Sequence, residues 1–366
     1  MRDTGCLLRP GVPVPILMVM KTVGTSQGRK ISGLDVYRGI AILAVVLIHV
    51  TGHFQKGLRQ DAWQWYALAV PNRALQFAVP AFILLSAFLN MRGLLRGNPL
   101  RDYFRKRALR ALWPYLLWTL IALLIQYRFA LWNADPDKLV TAFTWGKGYY
   151  HLYFLFVVLQ LYLLLPLCAP WFRTRPSLSA TLLVTAVVTA VVYLLNRWFL
   201  HMRYPGSVIF WYVPSVMMGI WLASHSDRLE AVREQARLWG TAAALLSLLV
   251  FEVVAIQVLL KQPANTALYQ FSNWIYGAAG SVALFAWCDR IQVPRWKSVL
   301  ELLGARSMQI YLIHPFVIVY LSHLFKSVLS GSEWRVPLYT VVCILVPLGL
   351  AWLADRWRVS RPLFGA

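Results

Sequence analysis

Charge is scarce in this chain, and acidic charge scarcest: 14% of the 366 residues are charged, and 14 acidic residues face 36 basic ones. Cysteine is also rare. Cys6, Cys168, Cys288 and Cys343 show no metal-ligand spacing, and three of them sit in apolar runs, which argues against a disulfide framework or a zinc site. Alternation of period two is absent, so an outer-membrane β-barrel is a poor fit. No internal repeat is visible, which argues against the duplicated halves of many transporters. Long hydrophilic stretches are missing too, leaving no room for a separate soluble domain.

What is present is apolar sequence. Hydrophobic residues make up 59% of the chain, with a mean hydropathy of +0.57. They recur in runs of about twenty, each long enough to cross roughly 30 Å of hydrocarbon as a helix. The expectation is an all-α polytopic membrane bundle with about ten transmembrane helices. They are placed near 34–53, 67–91, 108–128, 151–171, 178–199, 207–224, 238–260, 271–289, 306–325 and 336–355. Residues 31–366 form the membrane domain on this reading. Residues 1–30 read as a disordered cytoplasmic extension, because the apolar patch Val12–Met20 is too short to span; Met18 or Met20 is an alternative start. The longest outer loop, 129–148, carries Trp132, Asp135, Pro136 and Asp137.

In a soluble protein a net charge of +22 would suggest nucleic acid. Here the basic residues lie mostly between apolar runs, where anionic headgroups and the positive-inside rule account for them. With the N-terminus inside, roughly twenty Lys and Arg fall on the inner side against roughly ten outside, so both termini are expected in the cytoplasm. The expected partners therefore include membrane lipids and exclude nucleic acid, and the expected location is a multi-pass cell membrane, of the bacterial plasma-membrane kind.

A charged side chain at membrane depth costs at least ~2.5–3.5 kcal/mol, so each needs a reason. The first span carries Asp35, Arg38 and His49. At about 100° per residue, the step from Arg38 to His49 returns to within about 20° of one face, roughly 16 Å further along the axis. Asp35 falls on that face as well. One reading gives a basic group near the inner mouth that holds an anionic donor, and a deep imidazole that acts as general base. The other makes Asp35 and Arg38 a boundary ion pair, with His49 donating to a nearby carbonyl.

Arg107 and Arg110 follow at the start of the third span, three residues apart on one helical face, beside Trp113, Pro114 and Tyr115. Arginine forks suit phosphate, and a helix N-terminus adds free N–H groups. A positive-inside anchor explains the same cluster. His151 and Tyr150, at the outer start of the fourth span, could contact a sugar or belong to an interfacial aromatic belt. His314, near Tyr311, either takes part in the site or satisfies a carbonyl freed by Pro315. Arg73 and Glu252 are embedded and either pair or line a cavity. Glu301 and Arg306 read as a boundary pair.

These residues carry a resemblance. "LDVYRGIAILAVVLIHV" (Leu34–Val50) resembles the first helix of the membrane acyltransferase 3 family, and "VPAFILLSAFLN" (Val79–Asn90) its second. "RKRALRALWPY" (Arg105–Tyr115) resembles its Arg-x-x-Arg element, and "HLYFLFVVLQLYLLLPL" and "SMQIYLIHPFV" complete the series in order. The resemblance covers the chain from about residue 31, with no SGNH hydrolase-like segment, which implies a stand-alone form. It implies transfer of an acetyl or other acyl group from cytoplasmic acyl-CoA, a co-substrate rather than a bound cofactor, to a sugar of an extracytoplasmic glycan. It makes His49 the catalytic histidine, Arg38 its motif partner, with Asp35 beside it, and Arg107 and Arg110 the pair at the CoA end. One departure is Ser86-Ala87 where the family reads Ser-Gly, which suggests looser helix packing there. Two rivals are a polysaccharide or lipid-linked-sugar exporter, which has no need of the Arg–His stripe beside a cytoplasmic Arg-x-x-Arg, and a proton-coupled small-molecule transporter, which the missing repeats disfavour. Direct transfer and an acyl-histidine intermediate both remain open.

Overall fold

Proline and glycine punctuate the apolar runs, and the helices start, bend and touch where they occur. The computed structural model describes residues 31–325 and 335–365; the N-terminal extension read from the sequence lies outside them. The helices, in chain order, are α1 (Leu34–Gln55), α2 (Trp63–Ala74), α3 (Ala78–Leu95), α4 (Leu100–Arg107) and α5 (Trp113–Gln126). They continue with α6 (Pro136–Thr144), α7 (Tyr153–Arg173), α8 (Leu178–Leu195), α9 (Val213–Ser224) and α10 (Leu229–Leu259). The last five are α11 (Thr266–Trp287), α12 (Pro294–Ala305), α13 (Ser307–Leu324), α14 (Arg335–Arg356) and α15 (Ser360–Phe364). No strand occurs among the described residues.

Eight segments among the described residues are long and apolar enough to cross a bilayer. A shorter apolar segment, Ile209–Ser224, and the 22-residue α11 lie where the sequence placed its sixth and eighth spans. The fold is therefore the all-α polytopic bundle expected. Two boundaries differ from expectation. The third spanning segment is helical from Leu100 and the seventh from Leu229, because their charged first turns extend the helix beyond the apolar run. In α10 those turns are held by Asp289, which pairs with Arg237 at 3.1 Å and Arg233 at 3.6 Å.

Prolines explain the bends. Pro80 has no N–H for the Gln76 carbonyl, and the chain tightens into a 3₁₀ turn at Leu75–Phe77, between α2 and α3. Pro114 has the same effect on Arg110: residues Ala108–Leu112 widen into a π turn, with the Trp113 N–H bonded to the Ala108 carbonyl. The outer loop contains α6, where Asp135 caps the Asp137 N–H and Pro136 takes the first helical position.

Glycines set the closest contacts. A Cβ on Gly39 would collide with the Leu300 backbone, and one on Gly304 with the Asp35 backbone, so α1 and α12 touch main chain to main chain. The principal core joins α1, α5, α13 and α14 through residues such as Val46, Trp118, Ile310 and Tyr339.

Candidate active site

Pro315 lies inside α13, and His314 precedes it. The His314 Nδ1 stands 2.8 Å from the Ile310 carbonyl oxygen. A carbonyl can only accept, so Nδ1 carries the proton, and in the neutral ring Nε2 is left as an acceptor. That Nε2 is 2.7 Å from Nδ1 of His49 on α1, which must then donate. The two rings are stacked, with centroids 5.0 Å apart and planes 7° from parallel. One proton arrangement therefore satisfies both bonds, and it leaves the lone pair of His49 on Nε2. His314 is fully buried, whereas His49 is partly exposed. Neither alternative drawn from the sequence for these histidines was complete: His49 pairs with a ring, not a carbonyl, and His314 serves a carbonyl and the site together.

His49 lies between two open spaces. Val45, one turn toward the basic face, lines a cavity of about 150 Å³ together with Ser86, Arg110, Tyr162, Ser307 and Tyr311. His53, one turn the other way, lines a vestibule of about 640 Å³ with Trp63, Gln64, Ser322, Arg335 and Tyr339. At 1.5 Å rise per residue, His49 is about 6 Å from each of those positions along α1. Both are lined mostly by apolar surface; the vestibule adds Trp63, Tyr339, Gln64 and His53. His53 bonds Ser322 at 2.9 Å, and because the Ser322 hydroxyl donates to the Ile318 carbonyl, the His53 Nε2–H is the donor.

Tyr150 packs edge-on against His49, with centroids 5.0 Å apart, and it is half exposed. A phenol ionises only at about pH 10, so it is a neutral hydroxyl at about pH 7. His151 lies deeper than the interfacial belt considered from the sequence: it is 1% exposed, with its ring 6.0 Å from that of His314. The rings of Tyr149, Tyr150 and Tyr311 also pack around it, and neither nitrogen of the His151 ring has a hydrogen-bond partner among the described residues. Tyr311 donates to the His151 main-chain carbonyl. Among the described residues no group of His, Cys, Asp or Glu is placed to hold a metal ion.

The basic end of the site is separate. Arg38 bonds Asp35 at 2.7 Å, and both remain about one-third exposed, well short of His49. Arg107 bonds the Asn90 side chain and lies over the rings of Tyr103 and Tyr162, at 5.2 and 5.5 Å. Arg110 is exposed and forms part of the inner cavity wall. The π turn between them removes the regular α-helical face they were expected to share, yet Tyr162 is within electrostatic reach of both.

Further expectations are revised. Arg306 pairs with Asp355 at 2.6 Å, leaving Glu301 exposed. Arg73 bonds Asn72 at 2.5 Å, and Glu252 is within electrostatic reach but makes no hydrogen bond among the described residues. Packing at Ala87 is not loose. Its methyl faces Gly219 of α9, whose absent side chain makes the room. Sequence reasoning missed His53, although it follows His49 by one turn, and Asn72, whose amide holds the Ile48 carbonyl at 2.7 Å and Thr51 at 2.8 Å.

A polytopic helical membrane protein with a hydrogen-bonded histidine pair between an inner and an outer cavity is the class these features define. The domain profile of the acyltransferase 3 family, described as an acyltransferase domain, matches residues 31–356, and the chain belongs to that family. It is thus a multi-pass membrane acyltransferase by family. No curated protein and no solved structure matches it.

Proposed function

We propose that this protein transfers an acetyl or other acyl group from cytoplasmic acyl-CoA to a sugar hydroxyl of an extracytoplasmic glycan, at His49. The observation that carries the reading is the ordered chain from the Ile310 carbonyl through His314 to His49, which leaves a basic Nε2 on the partly exposed ring. The inner cavity suits a slender acyl-pantetheine arm entering past Arg110. The vestibule, with Trp63, Tyr339, Gln64 and His53, suits a sugar, which offers an apolar ring face and hydroxyls.

In this mechanism His49 Nε2 takes the proton of the acceptor hydroxyl as its oxygen attacks the thioester carbonyl. The tetrahedral intermediate collapses, the C–S bond breaks, and the His49 proton passes to the departing thiolate. His314 holds the tautomer and orientation of His49 throughout, and its backbone acceptor is fixed because it belongs to the same helix. The Tyr150 hydroxyl is a candidate donor to the oxyanion. Arg107 and Arg110 offer guanidinium groups to the CoA phosphates.

The test uses purified protein in nanodiscs, labelled acetyl-CoA and a panel of glycan acceptors, with wild type beside His49→Ala. Label should move to the sugar with wild type alone. Undiminished transfer by the alanine variant removes His49 from the chemistry. No affinity for CoA combined with glycan movement across vesicles replaces the enzyme with an exporter.

A further inference from the structure

Two segments far apart in sequence bring four arginines to one cavity on the basic face, and a third closes its wall. Arg92 and Arg96 come from the end of α3, Arg173 and Arg175 from the end of α7, and Ser224 and Ser226 close the wall after α9. The space is about 270 Å³. Among the described residues only Arg175 has a carboxylate partner, Asp227, at 2.9 Å. Arg92 and Arg96 are near enough to repel each other, and the buried Nε of Arg92 has no hydrogen-bond partner. A positive-inside anchor explains basic residues spread over a headgroup-facing surface. It does not explain why they converge on a cavity, where like charges raise the energy until an anion enters.

We infer that this cavity is a phosphoryl-binding site, distinct from the pair Arg107 and Arg110. Guanidinium groups are planar forks that match phosphate oxygens two at a time, and Ser226 adds a hydroxyl at the wall. The pocket is large enough for a phosphoryl group with several waters, each of which occupies about 30 Å³ in the liquid. Its location narrows the source of the phosphate. Arg92 is two residues along α3 from Asn90, the side chain that holds Arg107, so both arginine groups lie at the same end of that helix. The ligand is either the 3′-phosphate at the nucleotide end of CoA, which rests on the acyltransferase reading, or the headgroup of an anionic lipid, which does not.

The experiment compares wild type with Arg92→Gln/Arg173→Gln, full chain, in phosphatidylcholine nanodiscs. Titration calorimetry measures CoA and 3′-dephospho-CoA, and native mass spectrometry measures phosphatidylglycerol retained through purification. If the 3′-phosphate is the ligand, wild type prefers CoA by about tenfold or more and the double variant loses that preference. If a headgroup is the ligand, wild type binds the two nucleotides alike, but the variant retains less phosphatidylglycerol. Arg96→Gln, at an exposed position, should give a smaller change of the same kind and guards against a folding defect in the double variant. Identical nucleotide affinities and identical lipid retention in wild type and both variants overturn the site. Wild type that binds neither nucleotide counts against the acyltransferase reading, and the lipid arm then decides the pocket alone.

Discussion

Helices α1 and α8 are both apolar and long enough to span a membrane, yet 56% of the α1 window is buried in the bundle and only 17% of the α8 window. Each carries polar side chains at one-turn spacing. In α8 they are Thr181, Thr185 and Thr189, all buried; in α1 they are His49 and His53. The difference lies in where the hydrogen bonds go. Thr181 and Thr185 bond the carbonyls of Ser177 and Thr181 in their own helix, and the Thr189 hydroxyl has no hydrogen-bond partner among the described residues, so none of the three ties α8 to a neighbour. His49 bonds another helix, and His53 does the same through Ser322. In these two helices the histidines of the candidate site reach across to a neighbour, whereas Thr181 and Thr185 turn back to their own backbone.

That contrast can be broken at either end. The largest effect is expected from His49→Ala, which should lower acyl transfer by about 10²- to 10⁴-fold with unchanged elution in size-exclusion chromatography. Asp289→Ala removes the shared carboxylate from Arg233 and Arg237, which are 1% and 8% exposed. Because Glu230 and Glu234 remain as partners, it should cost about 1–3 kcal/mol, read as a lower unfolding temperature in detergent. His314→Val abolishes the acceptor for His49 and should slow transfer about 10- to 100-fold, while His314→Gln, whose amide oxygen can accept, recovers part of the rate. Thr185→Val, the matched change in α8, should alter stability by no more than about 0.5 kcal/mol and leave transfer intact. A Thr185→Val variant as damaged as His314→Val would erase the distinction drawn between the two helices.

The spans were legible in the sequence because a run of apolar residues needs only its length to be recognised, and the family was legible because its motifs are local. His49 and the Arg-x-x-Arg element were found the same way. The pairing of His49 with His314 was not, since it joins residues 265 positions apart, and periodicity carries no information across such a gap. Arg107 and Arg110 show a subtler limit. Treating the segment as regular α-helix placed them on one face, but Pro114 opens a π turn between them. The pairing of Arg306 with Asp355 rather than Glu301 is a third case, in which the tertiary partner displaced a nearby one. The arginine cavity was hidden for the same reason: its arginines looked like two separate anchors until α3, α7 and α9 were assembled.

The backbone contacts at Gly39 and Gly304 make α1 the stator of this machine. Tyr37 adds a bond of 3.0 Å to the Ala81 carbonyl, and Gly33 sits against Cys288 and Asp289, so the inner half of α1 is bolted on several sides. A helix held main chain to main chain can neither slide nor rotate by a fraction of a turn without steric collision. His49 is carried on that fixed post. On the function proposed, whatever rearrangement admits a donor or an acceptor would come from the parts around it, with the His49 nitrogen as the stationary point.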